Sequence, residues 1–286
     1  VLNTAHWRLF ADKLLVLASN RRWAISAEGG EVMFTGIDRR MSRMFASDGK
    51  SLCLAFDHGN VGMNYAGMAT PAKTLREAVA AGADAILTTI GQALEFGDII
   101  KNVGLAINMD DFVLDPTPIV DQALAIGADM GKVICYTGPK GDDVTIRKAH
   151  LLSAICRQRS LPLMIEPIPG SFEMKDQHTP ENIGIAGRMA AEIGADVVKM
   201  QYPGSTESFQ PMIDGIFRPV IVLGGPNRGD IRGVLSDVHG AIACGAVGIA
   251  MGRNIWAHET PAKVISAMNV IIHGGGTVNE AMRELA

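Results

Sequence analysis

The chain has 286 residues, 48% apolar and 20% charged, which is enough to bury one barrel-sized core and too apolar for a disordered chain. A formal net charge of −4 leaves no basic footprint, so neither nucleic acid nor an anionic membrane is expected as a partner. The aromatic share is only 5% beside 32 glycines, a profile that suits an α/β protein with closely packed helices and many short turns.

Residues 1–35 read as an N-terminal extension and 36–286 as one domain. The extension holds a short apolar patch, but acidic Asp12 and the lack of a small-residue cleavage site argue against a signal peptide, and Met33 could serve as an alternative start. From there, eight short apolar runs are predicted strands: 52–56, 85–90, 104–108, 132–136, 162–166, 195–200, 219–223 and 247–251. Helices are predicted between and after them at about 71–81, 93–101, 116–126, 144–160, 180–194, 206–215, 230–244 and 260–272. Thr70-Pro71, Asp115-Pro116, Thr179-Pro180 and Thr260-Pro261 supply helix starts. A recurring phrase supplies the stops: Gly82-Ala83-Asp84, Gly127-Ala128-Asp129, Gly194-Ala195-Asp196 and Gly245-Ala246-Val247. Glycine ends the helix because it tolerates the left-handed conformation, and the apolar run that follows is a strand buried on both faces.

Eight βα units in sequence describe a (β/α)8 TIM barrel. A doubly wound open sheet fits less well, because FDHGN rather than a GxGxxG follows the first strand. In a barrel the polar residues at the strand ends carry the chemistry.

Asp57 ends strand one and is followed by His58 and Gly59. It can bind hydroxyls or move protons, or it can simply form the turn before glycine. Lys132 opens strand four, so it is expected near the barrel's lower end, as a supporting cation at most. Tyr136 ends that strand and can donate a proton, or it is a rim tyrosine whose hydroxyl is satisfied there. Glu166 ends strand five, as an acid/base or as a lysine's ion-pair partner.

Lys199 lies late in strand six, on the face of Ala195 and Val197, which should be the barrel interior. Apolar burial lowers an amine's pKa and yields the neutral nucleophile that attacks a carbonyl to form an imine; the other reading is an ion pair with an interior carboxylate. Gly224-Gly225 follows strand seven and Gly252-Arg253 follows strand eight, the two loops where barrels often hold phosphate.

The seven histidines show no HxH or HExxH, so no metal site is predicted. The four cysteines form no CxxC and read as free buried thiols of a cytoplasmic protein, and no apolar run approaches the ~20 residues of a membrane span.

Arg40-Met41-Ser42-Arg43-Met44-Phe45 and Leu54-Ala55-Phe56-Asp57-His58-Gly59, together with VVKMQYPGS, VLGGPN and AMGRNIW, resemble the archaeal-type class I fructose-bisphosphate aldolase family of DeoC/LacD-like enzymes. That family includes aminodideoxyheptulosonate synthases and a quorum-signal phosphate thiolase branch. The resemblance spans roughly 36–286. It implies a metal-independent Schiff-base aldolase, a lyase with no resident cofactor, acting on a phosphorylated sugar-like substrate. Lys199 would form the imine, Asp57 would assist proton transfer, and Gly224, Gly225, Gly252 and Arg253 would bind phosphate. It also implies a homo-oligomer, commonly a decamer in the family.

The thiolase branch implies an alternative, acyl transfer from a phosphorylated diketone to coenzyme A, with His58 and Lys199 central. The sequence departs from the aldolases at strand five. Glu166-Pro167-Ile168-Pro169-Gly170 stands where they carry a Tyr-Pro-Arg-Gly-like motif, so the phenol's role falls to Glu166, Tyr136 or His58.

Overall fold

The computed structural model describes residues 35–61, 68–112, 114–138 and 141–286. The expected N-terminal extension, Thr35 apart, lies outside the described residues. Eight parallel strands close into a barrel in chain order: β1 Ser51–Ala55, β2 Ala85–Thr88, β3 Gly104–Asn108, β4 Met130–Thr137, β5 Leu163–Pro169, β6 Val197–Met200, β7 Val220–Leu223 and β8 Gly248–Met251. The predicted barrel is therefore the observed one.

Around it run α1 Gly36–Met44, α2 Pro71–Ala80, α3 Ile90–Glu95, α4 Gly97–Ile100, α5 Thr117–Ala125, α6 Asp143–Gln158, α7 Pro180–Ile193, α8 Thr206–Gly215, α9 Ile231–Ala243, α10 Arg253–Trp256, α11 Pro261–Ile272 and α12 Val278–Arg283. No helix among the described residues is long and apolar enough to cross a membrane.

Several predicted boundaries moved, two of them around α3. Strand two stops at Thr88 because the Thr89 hydroxyl caps α3, accepting from the Gln92 N–H, so Ile90 is helical. The helix expected over 93–101 is broken at Phe96 into α3 and α4.

The recurring phrase explains the barrel's lower end, where the strands begin. Gly82, Gly127, Gly194 and Gly245 all have positive φ, between 82° and 108°. Each phrase aspartate then reaches back to the strand before it. Asp84 accepts from Leu52 N at 2.6 Å, Asp129 from Leu105 N at 3.1 Å and Asp196 from Leu163 N at 3.0 Å. These bonds satisfy backbone donors at the strand starts that would otherwise be unpaired. The fourth phrase has Val247 in place of aspartate and lacks such a clamp.

α1 closes this end. Its Met41 and Met44, with Phe45, pack into the interior among Cys53, Ala55, Ala85, Ala106, Met130 and Met164. The small alanines leave volume that flexible methionines fill. Gly104 is needed here, since a Cβ would meet the Arg43 carbonyl and Met44. The four cysteines are free and buried.

Candidate active site

Strand alternation sorts the side chains. Odd positions of β4 and β5 (Val133, Cys135, Leu163, Ile165) join the outer layer under the helices, so even positions line the barrel. That line holds Lys132, Ile134 and Tyr136 on β4, and Met164, Glu166 and Ile168 on β5. On β6, Val197 faces inward and Val198 and Met200 outward, which turns Lys199 inward as expected. Ala195, however, belongs to the outer layer, because the strand begins only at Val197.

Glu166 does not end strand five as predicted; it sits in the middle of Leu163–Pro169. Pro167 does not stop the strand. β6 partners only Met164 and Ile165 of that strand, so the remainder is an edge, where proline's missing N–H is tolerated. β4 and β5 pair through Thr137 and Pro169 and rise together above their neighbours.

Inside the barrel, Glu166 Oε2 accepts from Lys199 Nζ at 2.9 Å and lies 3.2 Å from Lys132 Nζ. Lys132 Nζ also contacts Asp110 Oδ2 at 2.9 Å and Asp57 Oδ2 at 3.8 Å. Asn108 Nδ2 donates to Asp57 at 2.7 Å and to Asp110 at 2.8 Å. Asp110 Oδ1 in turn accepts from Ile134 N at 2.6 Å. That N–H needs it, because β3 ends at Asn108, opposite Lys132, leaving β4 without a strand partner on that side above.

Two expectations are corrected by this geometry. Lys132 does not stay near the lower end: its buried stem carries Nζ up into the carboxylates. Nor does Lys199 lie in apolar surroundings, for it is paired with Glu166.

The electrostatics follow from the packing. Burial alone would raise the Asp57 carboxyl, but the Lys132 and Lys199 ammonium groups and the Asn108 amide outweigh it and hold it below the usual carboxylate range. Glu166 is lowered in the same way, burial being overcome by Lys199 and Lys132. For Lys132, burial opposes the charge, yet Asp110, Glu166 and Asp57 raise it above the ordinary lysine value.

His58 opens a short 3-10 turn, His58–Val61. Burial pushes its pKa down to about 4, against the pull of Asp57, so the ring is neutral at physiological pH. Its Nδ1 is buried without a hydrogen-bond partner among the described residues, 3.7 Å from Asp57 Oδ1. The ring packs edge-on against Trp256, whose indole N–H donates to the Ala55 carbonyl at 3.0 Å.

The two glycine loops meet. Asn254 Nδ2 donates to the Gly224 carbonyl at 2.7 Å, and Gly225 takes φ 63°. Gly252 is packed so closely on Ala55, His58 and Trp256 that no Cβ would fit. Arg253 follows, half-buried, with Nε lacking a partner among the described residues.

Tyr136 is half-buried on the interior face and packs edge-on against Phe172; burial raises its phenol, which therefore stays protonated. It is the register partner of Ile168, the residue nearest the family's missing tyrosine.

The structure thus brings Asp57, Glu166 and Lys199 into one cluster, with His58 beside it. Asn108, Asp110 and Trp256 were missed. For the first two a signal existed: two polar residues two apart at the end of an apolar strand, in phase with its interior face.

A model of the DeoC/LacD family aldolase matches residues 51–258. The 2-amino-3,7-dideoxy-D-threo-hept-6-ulosonate synthase of Halobacterium salinarum is 32% identical over 249 residues, covering 83% of this chain and 92% of that protein. The class 1 fructose-bisphosphate aldolase of Thermoproteus tenax is 29% identical, covering 86% and 98%. Among solved structures, an archaeal fructose-1,6-bisphosphate aldolase with its catalytic Lys covalently bound to the carbinolamine intermediate of the substrate aligns with TM-score 0.72 at 26% identity, over 83% of this chain and all of that one.

Proposed function

Because the chain belongs to the DeoC/LacD aldolase family, we propose that Lys199 is the residue through which it works as a Schiff-base aldolase, a lyase acting on a phosphorylated ketose or related keto compound. The observation that carries this is the buried Lys199–Glu166 pair at 2.9 Å, an amine and a proton acceptor in contact inside the barrel.

The steps balance on these two groups. Glu166 takes a proton from the Lys199 ammonium, and the freed amine attacks the substrate carbonyl. The carbonyl oxygen collects that proton and a second one from the same nitrogen, and leaves as water when the iminium forms. Asp57, kept ionised, then takes the proton of the hydroxyl β to the iminium carbon. The C–C bond breaks, an aldehyde departs, and the electron pair is held as the enamine. Tyr136, protonated and in register with Ile168, supplies a proton donor beside the position where the family's tyrosine is missing. Gly224, Gly225, Gly252 and Arg253 hold the phosphate, with Arg253 Nε, unpartnered among the described residues, as the charged donor.

The reading includes no metal and no resident cofactor. The carboxylates already face two ammonium groups, and among the described residues no group of three or more His, Cys, Asp or Glu is arranged to hold an ion. It also includes a cytosolic homo-oligomer. Buried free thiols support a reducing compartment, and a monomer by light scattering would remove the oligomer.

Fructose 1,6-bisphosphate and other phosphorylated ketoses, reduced with borohydride on the enzyme, should leave a mass adduct on the Lys199 peptide, in EDTA as well as without it. No adduct across such a panel would reject the reading. The neutral His58, with its buried Nδ1 unpartnered among the described residues, favours the thiolase-like alternative as the second reading. Product formation that depends on coenzyme A would select it.

A further inference from the structure

The readings above give roles to His58 and Arg253 and leave a third buried, unpartnered atom unused, Gln201 Oε1. Gln201 follows β6, two residues after Lys199. Met200 lies in the outer layer, and Tyr202 packs against that layer with its ring on Phe209, so alternation persists past the strand end. Gln201 therefore stands on the interior face, one pleat above Lys199, about 6–7 Å along the chain.

Its amide is held from the neighbouring segment. His178, in the loop after β5, places Nε2 2.8 Å from the Ser171 carbonyl, which can only accept, so Nε2 carries the ring hydrogen. Nδ1 then accepts from Gln201 Nε2 at 3.1 Å. This chain of bonds ties β6 to β5 above Ile165, where the two strands no longer pair. Only the nitrogen end of the amide is needed for that tie. With the nitrogen on His178, Oε1 is turned the other way, a buried acceptor without a donor among the described residues. Such a group costs stability unless something else satisfies it.

We propose that Gln201 is a specificity residue: its Oε1 accepts a hydrogen bond from one hydroxyl of the substrate's carbon chain, and His178 is the positioning residue that turns it there. The inference deepens the Schiff-base reading and rests on it. An acceptor selects a donor, and on a phosphorylated ketose the donors are its hydroxyls. Asp57 also meets a hydroxyl in that reading, but as a carboxylate that removes its proton. A carboxamide has no such capacity, so Gln201 recognises without reacting. A deoxy compound would leave Oε1 buried and unpaired, and the site discriminates against it for that reason. The substrate class narrows to ketose phosphates that carry a hydroxyl within a few carbons of the imine.

The test takes fructose 1,6-bisphosphate and its 3-deoxy, 4-deoxy and 5-deoxy analogues. Each is trapped with borohydride, and the concentration giving half-maximal labelling of the Lys199 peptide is read. In the wild type, one deoxy analogue should need about 10- to 100-fold more than the parent sugar. Gln201→Leu should bring that ratio to within about threefold of unity, by weakening the parent rather than the analogue, and leave the other two ratios as they were. A residue that only ties β6 to β5 would shift every sugar together. Equal labelling by parent and analogues in the wild type would overturn the proposal, and so would ratios that Gln201→Leu leaves unchanged.

Should Gln201→Leu fail to fold, His178→Phe decides. Releasing the amide should shrink the same ratio at least about threefold, and an unmoved ratio counts against the proposal. Wild-type protein left unlabelled at Lys199 by every sugar would instead bring down the Schiff-base reading, whatever the variants do.

Discussion

The two ends of this barrel use the same residue types in opposite ways. At the lower end each of three aspartates binds one backbone N–H at the start of the preceding strand and one outward cation or histidine. Asp84 pairs with His273, Asp129 with Arg43, and Asp196 with Arg157. Each of these three carboxylates has local partners. At the upper end Asp57, Asp110 and Glu166 share two lysines, while His58 Nδ1, Arg253 Nε and Gln201 Oε1 are buried with no hydrogen-bond partner among the described residues. Buried polar atoms without partners cost stability and are tolerated where a substrate will satisfy them. Arg218 Nε before β7 and Asn269 Oδ1 beside Gly82 also lack a partner among the described residues, so it is the sharing of lysines among carboxylates that sets the upper end apart.

Substitutions can break that comparison, and the largest effects should come from the upper end. Lys199→Met should lower turnover on the order of 10⁴-fold or more, with little change in melting temperature; turnover close to wild type would refute its role as nucleophile. Glu166→Gln and Asp57→Asn should each lower kcat by about 10²- to 10⁴-fold in steady-state assays, as expected for proton-transfer groups. A loss of stability with kcat intact would move either residue into the structural class.

Arg253→Ala should raise KM with kcat nearly unchanged, at about 1.5–3 kcal/mol of kcat/KM for a charged hydrogen bond to phosphate. An unchanged KM would remove Arg253 from the phosphate site.

At the lower end the signature should reverse. Asp196→Ala leaves the Leu163 N–H unpaired and should cost about 1–3 kcal/mol in denaturant unfolding, with kcat unaffected. His273 gives the smallest and most sharply signed effect. Its hydrogen bond to Asp84, opposed by burial and aided by Asp48, raises its pKa. Its contribution is therefore complete below the unfolded value of about 6.5 and fades as pH rises through the raised one. His273→Gln should destabilise the fold by at most about 1 kcal/mol, for a partly exposed pair, and more in mildly acidic than in alkaline buffer. Equal losses at both would mean the histidine acts only by packing.

The barrel was legible because its signals are local. Glycine at a helix end, proline at a helix start and a short apolar strand are decided within a few residues, so all eight strands were found with small boundary shifts. Lys199, Asp57 and Glu166 were legible for a related reason: a charged residue late in an apolar strand has only a few places to go. The predicted end of strand five failed because Pro167 stops a strand only where its N–H is needed, and whether β6 reaches that far is a property of the closed barrel.

What the sequence by itself determined is the order of βα units, the inward face of Lys199, and the glycines after strands seven and eight. What only the tertiary structure decided is which charges meet. Lys132 lies 67 positions from Lys199 in the chain, yet both ammonium groups reach one carboxylate. The reason is geometric: strand tilt and side-chain length set the height at which each charged group arrives, and neither is written in the neighbouring residues. Coulombic energies change steeply over the few ångströms at stake, so the contacts of Lys132 and Asp110 appear only once the barrel is closed.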